Sequence, residues 1–167
     1  MWTPAFEALS NIVERLTCRS VKTASFYTWT SPSGKICVPL NDVEGLLHEF
    51  CHWLAADPSK RDTDDYGLED EAHLSRKRIK QQDNQEKMCG WIEDELYGRA
   101  GVQRPLNSVD DINYRRSPCL KRPALERLKS IAQEDVDLIV AALKLVGGSA
   151  GAYSSSPDSW PFNGEEQ

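Results

Sequence analysis

The stretch Asp42-Val43-Glu44-Gly45-Leu46-Leu47-His48-Glu49-Phe50-Cys51-His52-Trp53-Leu54-Ala55 decides how this chain is read. At its centre is His-Glu-x-x-His, formed by two of the three histidines in 167 residues. On an α-helix, positions i and i+4 lie one above the other on the same face. Two imidazoles so placed grip one metal ion, and Glu49, about 100° round the helix from His48, is close enough to hold a water on it. The motif thus specifies two ligands, His48 and His52, and a general base, Glu49.

The surrounding residues predict that helix. Asn41 is expected to cap it, with Glu44 as the capping-box glutamate, and Asp57-Pro58 ends it after about Ala56. With His48 set at 0°, His52 falls at about 40°, and Val43, Leu46, Phe50, Trp53 and Leu54 gather on the opposite side. Leu47 and Cys51 lie on one flank, and Cys51 reads as a buried thiol. A histidine that only filled the core would sit inside the apolar arc, and these do not. Gly45, Ala55 and Ala56 share the histidine face and leave room for a metal and a substrate. Gly45 costs a helix about 1 kcal/mol relative to Ala, which points to a close neighbour or ligand there.

Outward from this helix, residues 4–17 read as an amphipathic helix with Phe6, Leu9, Ile12, Val13 and Leu16 on one side. Val21 to Trp29 and Lys35 to Leu40 read as the strands of a β-hairpin joined through Ser31-Pro32-Ser33-Gly34. Residues 57–83 read as a charged, exposed loop with a short helix over 69–80. Asp83 is expected to cap a second strong helix, 84–99. No period is clear over 102–122. Pro123 opens a helical region to Val146, broken near Gln133 and stopped by Gly147-Gly148. The fold class is mostly helical α+β, with one domain over 1–146. The Gly/Ser/Pro-rich acidic tail, 147–167, is expected to be mobile, Trp160 and Phe162 included.

Composition bounds the function. Hydrophobic residues make up 40% and charged residues 28%, as in a globular protein with a real core. The net charge of −6 argues against nucleic acid as a partner, since no basic excess exists to neutralise phosphates. Met1 to Glu14 lacks the basic start and apolar run of a signal peptide, and no stretch has the length of a membrane span. Five scattered cysteines without a C-x-x-C pair suit a reduced, cytoplasmic protein.

A catalytic metal site needs a third protein ligand and an open position. The second predicted helix offers a stripe of Glu86, Gly90, Glu93 and Tyr97 at the edge of an apolar face formed by Met88, Cys89, Trp91, Ile92 and Leu96. Glu86 is the favoured third ligand, although beside Asp83 it also reads as a capping-box glutamate. Glu93 is the alternative, or else a partner to a ligand histidine. His73 and the Asp62-Asp64-Asp65 cluster remain as lesser candidates.

Leu46-Leu47-His48-Glu49-Phe50-Cys51-His52-Trp53-Leu54, followed by Glu86 in a later helix, resembles the gluzincin branch of zincin-like metallopeptidases. The order helix, hairpin, motif helix, Glu-bearing helix is similar to the compact ImmA/IrrE-type domains over about residues 5–100. That resemblance implies a minimal zincin-like fold, zinc, and Glu86 as third ligand. A second resemblance rests on His48-Glu49-x-x-His52-Trp53, Asp65-Tyr66-Gly67 and Glu86, and is to elongation factor P hydroxylase. It implies the same three ligands holding Fe²⁺, with a lysyl substrate. Two histidines and a carboxylate suit either metal.

The leading expectation is a zinc metallopeptidase acting on a protein or peptide. Glu49 takes a proton from the metal's water and passes it to the leaving amine, with Tyr66 or Tyr97 as a donor to the oxyanion. The alternatives are an iron hydroxylase-like protein and a metal-stabilised interaction protein without turnover.

Overall fold

A computed structural model of the chain describes residues 1–24, 29–31, 34–69, 71–105 and 114–149. The expected tail from residue 150 on, with Trp160 and Phe162, lies outside these residues, as do Pro32 and Ser33 of the expected hairpin turn. Among these described residues, five α-helices and a three-stranded sheet make a mostly helical α+β fold. They are α1 (Pro4–Thr17), β1 (Ser20–Ala24), β2 (Trp29–Ser31), β3 (Lys35–Pro39), α2 (Val43–Ala55), α3 (Arg76–Ala100), α4 (Lys121–Leu128) and α5 (Gln133–Ser149).

Helix α1 starts as its sequence dictates. Thr3 accepts the Phe6 N–H, Pro4 fits the first turn, and Cys18 ends the helix in a left-handed conformation. Its buried side, Phe6, Leu9, Ile12 and Val13, meets α2 and α5. Helix α2 is capped one residue later than expected. Asp42, not Asn41, accepts the Gly45 N–H, because Asn41 turns the chain at φ 62° and uses its side chain to accept from Thr3 N. Leu46, Leu47, Phe50, Cys51 and Leu54 are fully buried, and α2 lies against α1, α3 and β3.

The sheet corrects the hairpin. Its order is β1-β3-β2, with β1 parallel to the central β3 (Val21 opposite Ile36) and only β2 antiparallel to it (Trp29 opposite Cys37). The antiparallel pair therefore joins Trp29–Ser31 to β3, while the Val21 strand reaches β3 from its other edge. β3 buries Ile36, Cys37 and Val38, as a central strand between two partners should.

The second correction concerns α3. It is one helix of 25 residues, capped by Ser75, rather than two pieces separated at Asp83. Its first two turns carry almost no apolar side chain, so no amphipathic period announces them, yet Arg, Lys and Gln are good helix formers. Later, Cys89, Ile92, Leu96, Tyr97 and Ala100 pack into the core shared with α2, α4 and α5. The C-terminal region breaks at 129–132, close to the expected break near Gln133, and α5 then runs through Gly147 to Ser149 instead of stopping there.

Candidate metal centre

Helices α2 and α3 lie side by side, and each turns one stripe toward the other. From α2 come His48 and His52; from α3 come Glu86, Cys89 and Glu93, which share one face at spacings of three and four. One ligand atom each from His48, His52 and Glu86 lies within 4.8 Å of the others. The two Nε2 atoms are 3.0 Å apart, and Glu86 Oε2 is 3.5 Å from His52 Nε2 and 4.0 Å from His48 Nε2. Ligands at 2.0–2.1 Å from a tetrahedral metal stand about 3.3 Å from one another, so this spacing fits. The nitrogen–nitrogen–carboxylate donor set suits zinc and non-haem iron alike.

Both rings are held from behind. His48 Nδ1 is 2.6 Å from Glu93 Oε1, and His52 Nδ1 is 3.4 Å from Cys89 Sγ. With Nδ1 engaged in each ring, Nε2 is the atom presented to the centre. Glu93 is itself tied to Arg104, and both side chains are 7% exposed. His48, Glu93 and Arg104 thus form a chain leading away from the centre.

Burial sets the electrostatics. It opposes charge on His48, but the hydrogen bond and charge of Glu93, helped by Glu86 and Glu49, outweigh it and raise the pKa to about 9. Burial, with His48 alongside, lowers His52 to about 3. A protonated His48 therefore donates to the Nε2 lone pair of a neutral His52, and a metal cation would take the position of that proton. Glu49 is buried, and this raises its pKa to about 7, with Asp65 and Glu86 adding and His48 and Arg19 opposing. Its Oε2 has no hydrogen-bond partner.

The 57–83 segment supplies an unexpected wall. Expected to be exposed, it is anchored by Tyr66, which is 1% exposed and stacks on His52 with centroids 6.4 Å apart and planes 13° from parallel. Three consecutive left-handed residues, Asp65, Tyr66 and Gly67, make this turn. Arg19 lies 5.2 Å from the Tyr66 ring and donates to the carbonyls of Arg61 and Thr63, while Arg61 donates to Leu54 O and covers Trp53. The segment is thereby fastened to both β1's approach and the end of α2.

Of the residues singled out in the sequence, His48, His52, Glu86, Glu49, Glu93 and Tyr66 come together. Glu86 lies three turns inside α3, where no open backbone N–H requires a cap, so the capping-box reading no longer applies. His73 and the Asp62-Asp64-Asp65 side chains are exposed and outside the donor cluster found among the described residues. Tyr97 is buried and, with Gly45, His48, Glu93 and Arg104, lines a cavity of about 220 Å³ beside His48. Gly45 thus borders this cavity. Ala55 and Ala56 do not: both are buried, and Ala56 leaves the helix in extended conformation. Sequence reasoning missed Arg104, which follows α3 in a region without period, and the part played by Cys89, which read only as apolar surface. The i, i+3 spacing of Glu86 and Cys89 was the available signal.

The chain matches no protein-family model, no curated protein and no solved structure with which it was compared. No helix among the described residues is long and apolar enough to cross a membrane.

Proposed function

We propose that this protein is a zinc metallopeptidase of gluzincin character, in which His48, His52 and Glu86 hold the ion and Glu49 is the general base. The observation that carries the reading is the convergence of three donors within 4.8 Å beside a buried glutamate whose Oε2 has no partner. A zinc ion held there would supply Lewis acidity toward a carbonyl and would make a nucleophilic water easier to deprotonate. Glu49 would accept a proton at Oε2 and deliver it to the leaving amine, and burial, which holds its carboxyl above the usual carboxylate range, favours that uptake. Glu93 and Cys89 keep the two imidazoles oriented through Nδ1. The substrate is a protein or peptide, and an intracellular reducing compartment belongs to the same proposal, supported by five unpaired cysteines.

One observation favours a second reading. Asp65-Tyr66-Gly67, part of the likeness to elongation factor P hydroxylase, lies against His52 rather than in a distant loop. The same donor set would then hold Fe²⁺, with Glu49 orienting ligands instead of taking a proton.

Zinc-loaded protein is expected to cleave an unfolded protein such as casein. Glu49→Gln should bind zinc as wild type does and lose cleavage. Undiminished cleavage by Glu49→Gln would exclude Glu49 as the base and with it the peptidase reading.

A further inference from the structure

The cavity of about 220 Å³ beside His48 lies between the start of α2 and the later turns of α3. Asp42, Glu44 and Gly45 line it from the cap and first turn of α2, Glu93 and Tyr97 line it from α3, and Arg104 lines it from the segment after α3. His48 is both a proposed ligand and part of this lining, so a group that enters the cavity lies beside the metal centre. Ligands of drug size fill about 300–1,000 Å³, so this space takes a single side chain.

Tyr97 is a buried polar side chain in that lining, 4% exposed. Its hydroxyl makes no hydrogen bond among the described residues, and unlike that of Tyr66 it is not sealed from solvent. The charged groups that act on it, Glu44, Glu93 and Arg104, all line the same cavity. Burial keeps it protonated, able to donate and to accept. A buried polar group left without a partner calls for one from outside.

The lining also has a sign. Three carboxylates meet one guanidinium in it. Glu93 is committed to His48 Nδ1 and to Arg104. Asp42 and Glu44 are left to set the charge that an incoming group meets, Asp42 while it also accepts the Gly45 N–H. Both are half-buried, where salt screens charge less than at the open surface. Gly45 adds no side chain to the space beside them.

We infer that this cavity is a specificity subsite that takes one basic side chain of a bound peptide, its cationic head held by Asp42 and Glu44 with the Tyr97 hydroxyl accepting an N–H. The inference rests on the peptidase reading of the adjoining centre and deepens it by naming the substrate class: peptides with arginine or lysine close to the bond that is cut. A planar guanidinium matches a carboxylate with two parallel N–H groups, and an ammonium meets it as a point charge.

The test is an amide-NMR titration of the full chain without added metal, which needs neither zinc nor turnover. N-acetyl-argininamide is the basic probe, and N-acetyl-citrullinamide is its uncharged counterpart of nearly the same shape. The arginine probe is expected to perturb Gly45, Tyr97 and Arg104 and to bind about three- to tenfold more tightly than the citrulline probe. Tighter binding than N-acetyl-lysinamide assigns the subsite to guanidinium heads, and the reverse order assigns it to ammonium heads. Glu44→Gln should weaken the arginine probe about three- to tenfold and leave the citrulline probe unchanged, a split that a merely structural role would not produce. Tyr97→Phe should weaken the arginine probe by a similar factor. Equal affinity of the arginine and citrulline probes, tighter binding of an N-acetyl-glutamate α-amide, or perturbations that map elsewhere or not at all would overturn the inference. So would an arginine preference that survives Glu44→Gln undiminished. Absence of zinc binding or of cleavage would count against the peptidase reading and leave this result standing.

Discussion

Glu93 Oε1 lies 2.6 Å from His48 Nδ1, and the same carboxylate holds Arg104 in a pair almost sealed from solvent. A glutamate seven residues from the proposed ligand Glu86 thus orients one ring of the centre and neutralises a buried guanidinium. Glu93→Ala is expected to weaken zinc binding by about 10–100-fold, the usual effect of removing a ligand's outer partner. It should also destabilise the fold by about 3–5 kcal/mol, because Arg104 loses its buried counter-charge. Glu93→Ala combined with Arg104→Leu should recover much of the stability and none of the zinc affinity. Zinc titration and urea unfolding of the three proteins check both halves.

Asp42 caps α2 through the Gly45 N–H at 2.8 Å, and Asn41 does not. Asp42→Ala should cost about 1 kcal/mol of stability. Asn41→Gly relieves a left-handed residue at φ 62° while giving up the bond to Thr3 N, and should change stability by less. Chemical denaturation of the two variants distinguishes the caps.

Gly67 closes the turn that seats Tyr66, at φ 79°. Gly67→Ala puts a Cβ where L-residues lose about 1–2 kcal/mol, and the flexible Lys60 stem can yield to it. The unfolding midpoint should fall accordingly. A stability equal to wild type would mean that the turn is not held in this conformation.

Phe6 is fully buried where α1 enters the core, so Phe6→Ala should cost about 3–5 kcal/mol. Thermal unfolding measures it, and the donor cluster of α2 and α3 should persist in the fraction that remains folded.

The α2 and α3 faces were readable in the sequence because burial leaves a period. The opposition of His48 and His52 to Leu46, Phe50 and Leu54, and the stripe of Glu86, Gly90, Glu93 and Tyr97, both follow from stepping about 100° per residue. The start of α3 was not readable: Arg76 to Gln82 buries no side chain fully and carries only Ile79 as an apolar residue, so no apolar face reveals it. Strand pairing failed for another reason. Adjacent strands separated by turn residues read as a hairpin, while the parallel match of Val21 with Ile36 is a long-range choice that local pattern does not encode. Tyr66 was half visible. Its neighbours are charged, which signalled exposure, and its burial depends on Arg19 and His52, far away in sequence. Arg104 left no sign at all, since an ion pair across an irregular segment has no periodicity.

His48, His52 and Glu86 are proposed to bind one metal ion together. Elemental analysis and competitive zinc titration of wild type and Glu86→Ala decide whether they do. Wild type is expected to carry one equivalent, with Glu86→Ala at least tenfold weaker in affinity and Glu49→Gln unchanged. Equal affinity in wild type and Glu86→Ala, or no metal in the wild type under saturating zinc or iron, would contradict it.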